Sequence, residues 1–473
     1  MQPTETTPRR TLRDRLFAPV DIAFLVFFRI AFGAIMLWEV WRYFAYDRIK
    51  RYYITPDIHF TYYGFEWVKP WEGDGMYLHF YALGFLALCI TIGACYRVAT
   101  TLFFLGFAYV FLLDQTNYLN HFYLVTLLAF LLIIVPAHRA FSVDAWLRPR
   151  LRSSVVPAWT LGLLRAQIGC AYFFGGIAKI SPDWLQGEPM RMWLAKRTDF
   201  PVLGPYFHEE WMIYIFVLGG LLLDLLIVPL LLWRRTRLLA FLAGVGFHLM
   251  NSQLFSIGIF PWLMLCATLL FFPHDLPRRL WHALRRKAAP ATPDETPVHS
   301  VWSRGQTVVL VFLTVYLAVQ VLMPLRHFAY PGNADWTEEG HRFAWHMKLR
   351  SKRASAMFMI TQPATGLAID VYPEDTLNSR QCDKMLTHPD MILQFCHRLA
   401  EEMRQRGHGQ VEVRAEVMAS LNGRERQLLV DPTVDLAKEK RSLAPAPWIM
   451  PLTKPLPRPG SSPRNSGPEL AGD

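Results

Sequence analysis

Over roughly the first two thirds of the chain, long apolar runs alternate with short polar connections, and the pattern then breaks. Nine runs can be delimited: Val20–Phe44, Met76–Ala94, Val98–Leu113, Asn120–Val135, Val156–Ala178, Trp211–Trp233, Leu238–Met250, Leu254–Phe272 and Thr307–Leu325. Several approach the ~20 residues that carry a helix across a bilayer. The third, fourth and seventh are short for a full span, and the connections supply a check. With the N-terminus inside, the inner connections hold Arg97, then Arg139, Arg148, Arg150 and Arg152, then Arg234, Arg235 and Arg237, then Arg278, Arg279, Arg285, Arg286 and Lys287. The outer connections Asp114–Leu119 and Asn251–Gln253 contain no lysine or arginine. Removing one short run would invert everything downstream and break this alternation. Nine spans are therefore expected, with the N-terminus cytoplasmic and the C-terminus outside.

From His327 to about Ser442 the sequence turns polar and mixed. Ala356–Ile360, Ala368–Tyr372, Val411–Leu421 and Gln427–Val430 read as strands, and His388–Arg404 has helical spacing. The residues after Leu443 are rich in Pro, Ser and Gly and predict disorder. The expected fold class is mainly α: a polytopic membrane helical bundle followed by a small, β-rich α+β extracytoplasmic domain. Its parts are a cytoplasmic segment 1–19, a helical domain 20–326, the outer domain 327–442 and the tail 443–473.

Composition agrees with a membrane protein: 52% hydrophobic and 14% aromatic residues against 18% charged. The net charge of +11 could suggest nucleic acid. The arginines, however, sit where topology wants them, and no nucleic-acid motif accompanies them. Arg9, Arg10, Arg13 and Arg15 precede the first run, which is too long for a signal-peptide core and reads as a retained span. The expectation is a multi-pass protein of the bacterial inner membrane, or of the endoplasmic reticulum membrane if eukaryotic. The six cysteines lack a zinc spacing. Cys382 and Cys396 fall in the outer domain, where a disulfide is open to them but not readable from spacing.

Candidate chemistry collects at one level. Lys179 closes the fifth run, before a Pro-Asp-Trp turn; Asn120 and His121 open the fourth; His248, Asn251, Ser252 and Gln253 form the turn between the seventh and eighth. Burial disfavours a lysine's charged form and makes it a usable base. Read singly, Lys179 is a snorkelling helix-end lysine, His121 an interfacial histidine and the Asn-Ser-Gln turn a satisfied connection. Their convergence points to a site where a lipophilic cofactor meets a water-borne substrate. Arg165 and Asp224 lie roughly 13–14 Å above the inner face on neighbouring runs, so a structural ion pair between them is expected.

The stretch Tyr172–Met190, YFFGGIAKISPDWLQGEPM, resembles the active-site segment of the vitamin K-dependent γ-glutamyl carboxylases, including bacterial-type members with an HTTM domain. FRIAFG (Phe28–Gly33), FLLDQT (Phe111–Thr116), Asn120-His121, GGLLLD (Gly219–Asp224), MNSQLFSIG (Met250–Gly258) and DPTVD (Asp431–Asp435) extend the resemblance, in order, over approximately residues 18–450. It implies that Lys179 deprotonates reduced vitamin K, a phylloquinol or menaquinol. Oxygen then converts the cofactor to a strong base, which removes a γ-proton from a peptide glutamate, and carbon dioxide adds as the epoxide leaves. His121 assists at the glutamate stage beside Asn120, and His248, Asn251, Ser252 and Gln253 contact the cofactor. Trp345 and Phe343, in HRFAWHM (His341–Met347), contact the substrate. Neither metal nor biotin is expected; the implied partners are the bilayer and a glutamate-containing peptide or protein, with no nucleic acid.

The chain departs from the animal members at several points. Ala178 stands where they have a second lysine, Phe343 and Ala344 where they have tyrosine and serine, and no cysteine pair matches the disulfide that ties their outer domain to the membrane part. Two alternatives stay open: quinol epoxidation without glutamate carboxylation, and a non-enzymatic binding or export protein on the same scaffold.

Overall fold

The computed structural model describes residues 11–255, 257–285 and 303–457. Arg9, Arg10, Arg286, Lys287 and the tail beyond residue 457, which entered the charge and disorder readings, lie outside them. Every apolar run contains a helix: α1 (Ala23–Ala45), α2 (Gly75–Ile92), α3 (Tyr96–Leu113), α4 (Asn120–Ile134), α5 (Trp159–Ala178), α6 (Glu210–Leu232), α7 (Arg237–Leu254), α8 (Phe260–Thr268) and α9 (Arg304–Leu325). Among the described residues, six of these are long and apolar enough on their own to cross a membrane: α1, α2, α3, α5, α6 and α9. α4 has 15 residues, cut between the Gln115–Asn117 turn and Pro136. α8 has 9, because Gly258 (φ +58°) breaks the run before it. α7 has 18, but its last turn is the polar Asn-Ser-Gln.

Consecutive helices from α1 to α8 pack on one another, α9 packs on α5, and small residues set close approaches. A Cβ on Gly33 of α1 would lie 2.9 Å from the Ala87 carbonyl of α2, and one on Gly176 of α5 would lie 2.7 Å from Leu225 of α6. Phe28, Phe32, Phe103, Leu124 and Leu128 fill the resulting core.

The outer domain is a four-stranded antiparallel sheet in the order β2-β1-β3-β4, from β1 (Lys352–Gln362), β2 (Leu367–Val371), β3 (Glu412–Leu421) and β4 (Gln427–Leu428). Helices α10 (Ser379–Met385) and α11 (Pro389–Gln405) complete it. Val413, Ala415, Val417, Ala419 and Leu421 alternate along β3, as a half-buried strand requires, and share a core with Met391, Phe395, Leu399 and Met403 of α11. Cys382 and Cys396 are free thiols in this core.

The chain just after Leu443 is ordered, against expectation. Trp448 is buried, Ile449 bridges Val430, and Met450 accepts a 2.7 Å hydrogen bond from Trp336 Nε1. The apolar side chains among its prolines find a place on the sheet.

Polar side chains fix the domain to the membrane part. Arg424 grips Asp183 through both terminal nitrogens, at 2.6 and 2.7 Å, and Asn422 adds a third bond at 2.7 Å. Gln381 donates to the Ile58 carbonyl, and Arg380 to Asn117 Oδ1.

Candidate functional site

Pro182 ends α5, since it lacks the amide that the next turn would use, and Ser181 caps the short turn that follows. Lys179 therefore stands at the C-cap of α5, and its side chain folds back along the helix. Nζ donates to Asp224 Oδ2 at 2.6 Å and to the Gly175 carbonyl at 3.2 Å, and it lies 5.5 Å from the Trp184 ring. Only 6% of Lys179 and 4% of Asp224 is exposed.

The expected Arg165–Asp224 pair does not form; Asp224 belongs to Lys179. The reason is helix register. Gly176 abuts Leu225 and Gly169 abuts Val228, so α5 and α6 are staggered rather than level at their inner ends. Asp224 thus faces the C-terminal end of α5, and Arg165 lies about three turns deeper. Arg165 instead donates to the Leu270 and Phe272 carbonyls, satisfying the frayed end of α8. Asp224 lies about 20 Å along α6 from its N-terminal end at Glu210, and the stagger brings Lys179 to the same depth.

The pair lies in the wall of a half-open cavity of about 1020 Å³ lined by α1, α4–α8 and the outer domain. Asn120, His121, His248 and Asn251 share that wall. His121 packs against Phe122 and Phe260, and His248 Nε2 is 2.6 Å from the Tyr172 hydroxyl. Ser252 and Gln253 are not among the lining residues. Ser252 Oγ is spent on the Leu249 carbonyl, and the Gln253 carbonyl accepts from Arg197.

Asn120 reaches across to the outer domain. Its Nδ2 donates to the His346 carbonyl at 2.9 Å, while its Oδ1 accepts from the Tyr118 hydroxyl at 3.0 Å. Tyr118 Oη in turn accepts the Phe343 amide at 2.8 Å. These bonds clasp a loop in which Glu338, Phe343, Trp345 and Lys348 all adopt positive φ, a strained choice for residues with side chains. The left-handed turns send Phe343 and Trp345 into the helical core, each ring 5.0 Å from that of Tyr123. The cavity is lined instead by Arg342, His346, Met347 and Lys348 of the same loop.

Several participants escaped sequence reading. Glu39 and Arg42 of α1 form a 2.6 Å pair on the cavity wall, and two charges one turn apart in an apolar run were the available signal. Arg350, Arg380 and Lys384 complete a basic rim. Lys384 is exposed at the cavity, and desolvation by the surrounding protein first, then Arg380 and Arg350, brings its ammonium down to about 8.

Residues 17–276 match the HTTM domain, and residues 305–455 match the vitamin K-dependent gamma-carboxylase lumenal domain. The chain belongs to the vitamin K-dependent γ-carboxylase family. No solved structure matches it. For this γ-carboxylase family member the implied cofactor is vitamin K, and the cavity fits such a group. It has quinone-scale volume and apolar stretches from Phe216, Leu223, Phe247 and Met250. Its buried His248 Nδ1 has no hydrogen-bond partner among the described residues.

Proposed function

We propose that this protein is a membrane enzyme that oxidises reduced vitamin K, phylloquinol or menaquinol, with oxygen and uses the base so generated to γ-carboxylate peptide glutamate with carbon dioxide. The observation that carries this reading is the buried Lys179–Asp224 pair in the wall of a quinone-sized cavity shared with His121 and His248. When bound, the cofactor supplies an ionisable hydroxyl and, with oxygen, the strong base.

The chain supplies proton handling and enclosure. A proton shared over 2.6 Å gives the pair two neutral forms, ammonium–carboxylate and amine–carboxylic acid. In the second form Nζ is an amine whose lone pair becomes free once the Asp224 O–H turns aside; it then accepts a proton, and the ammonium so formed offsets the negative charge left opposite it. Asp224 is thus a functional partner of Lys179 as well as a packing element. His121 serves the glutamate stage from α4, and Asn120 positions the loop that roofs it. Asn251 orients the cofactor beside His248. The outer domain keeps bulk water from a carbanion formed below it. The basic rim draws in an acidic peptide.

The proposed topology has nine crossings, with a cytoplasmic N-terminus and an extracytoplasmic domain over 327–442. The arginine-bearing inner connections support it.

The test uses detergent-purified protein, vitamin K hydroquinone, oxygen, labelled bicarbonate and a glutamate peptide, with epoxide and carboxylate followed separately. Both products are expected, and both should vanish in Lys179→Ala. Epoxide alone would restrict the activity to quinol oxidation. Wild type indistinguishable from Lys179→Ala would leave a binding or export protein.

A further inference from the structure

Asp335, His341 and His346 meet in the outer domain beside the cavity. Each is 8% exposed, and their donor atoms all lie within 4.8 Å of one another. Asp335 Oδ1 is 3.4 Å from His341 Nε2 and 3.4 Å from His346 Nδ1. A good N–H···O bond spans about 2.7–3.2 Å, so both separations are long for hydrogen bonding. Each matches one edge of a tetrahedron around an ion held by bonds of about 2.0–2.1 Å, roughly 3.3–3.4 Å; the two imidazole nitrogens lie within 4.8 Å of each other and must stand within about 4 Å for one ion to hold both.

The surroundings resemble a ligand shell. Behind His341, its Nδ1 is 3.7 Å from Glu338 Oε2, close enough for a charge contact but too long for a hydrogen bond. Glu338 is itself held by Arg350 at 2.6 Å. His346 is fixed through its backbone by Asn120, and the Asp335 amide by Asn333 Oδ1. His346 Nε2, the ring nitrogen other than the one nearest Asp335, is buried with no hydrogen-bond partner among the described residues. The loop between the ligands is strained at Glu338 (φ +66°), Phe343 (φ +63°) and Trp345 (φ +62°). Such strain persists only where surrounding contacts fix it, and it gathers at functional sites.

We propose that Asp335, His341 and His346 bind one divalent transition-metal ion of the zinc or ferrous class. Two imidazoles and one carboxylate suit those ions rather than calcium or magnesium, which take oxygen ligands. Three protein ligands leave at least one coordination position for water or a substrate oxygen, and both histidines line the cavity. The inference does not depend on the quinol reading. The spacing Asp335-x5-His341-x4-His346 follows no zinc-finger or protease pattern, which is why the sequence offered no metal motif.

The experiment uses the full chain in detergent, stripped with chelator and titrated with Zn²⁺ and, for its visible ligand-field bands, Co²⁺. One equivalent should bind, Co²⁺ should show the bands of nitrogen/oxygen coordination, and melting should shift upward with metal. His346→Ala and the near-isosteric Asp335→Asn should each weaken binding about tenfold or more and abolish the shift. His397→Ala, whose ring bonds the Glu439 carbonyl elsewhere in the domain, should bind as wild type does. Absence of stoichiometric binding to folded wild type would overturn the proposal. So would binding equally strong in Asp335→Asn and His346→Ala.

Discussion

Lys179 Nζ and Asp224 Oδ2 stand 2.6 Å apart between two helices whose glycines allow the contact, and both residues are buried. Removing one member of such a pair strands the other charge. Asp224→Asn should therefore destabilise the fold by about 3–5 kcal/mol. The paired change Lys179→Met with Asp224→Leu should recover most of that loss while remaining inactive. Thermal melting in detergent, read beside epoxide formation, checks both. A double variant no more stable than the single one would count against the buried pair.

The Arg424–Asp183 contact replaces a covalent tie with a two-pronged buried ion pair. Arg424→Ala should loosen the outer domain by about 3–5 kcal/mol and raise proteolytic cleavage between the two parts. Activity should fall with it, since the cavity loses the part of its wall that this domain supplies. Hydrogen exchange over residues 182–194 and 420–426 gives a direct measure.

Asn120→Ala removes the bond to the His346 carbonyl, and Tyr118→Phe removes both hydroxyl contacts. Each should cost about 1–3 kcal/mol through a buried group left without its partner. If the bonds position the loop, the KM for peptide should rise more than the KM for quinol. Equal changes in both would assign Asn120 to the chemistry itself.

Lys384 gives a pH signature. Its ammonium loses a proton near 8 in the folded protein and at the ordinary 10.5 when unfolded. Between those values the unfolded chain binds more protons, so this residue's contribution to stability rises with pH across the window and is smallest below 8, an effect that solvent screening of the exposed side chain keeps small. Above pH 8 the rim also loses one positive charge, and the KM for an acidic peptide should increase. Lys384→Met should flatten both profiles.

Periodicity located the helical runs, and alternation located the strands, because both report directly on which face is buried. β3 and α11 lie within a residue or so of their expected limits at most ends. Helix register was not legible. Arg165 and Asp224 were matched by measuring from the inner ends of two runs, but packing at Gly169 and Gly176 staggers those helices. The loop at 338–348 hid its geometry too, because left-handed backbone at Phe343 and Trp345 has no glycine to announce it. A reading by motif assigned those rings to substrate, whereas the backbone turns them into the core and exposes Arg342 and Met347 to the cavity.

Because the ceiling above Lys179 comes from the second domain, the helices alone are a vessel without a lid. A chain stopping after α9 would keep the amine and its carboxylate yet leave them under open water. On this architecture, the sheet and helices of the second domain decide how far the helical scaffold can shelter its buried amine from solvent.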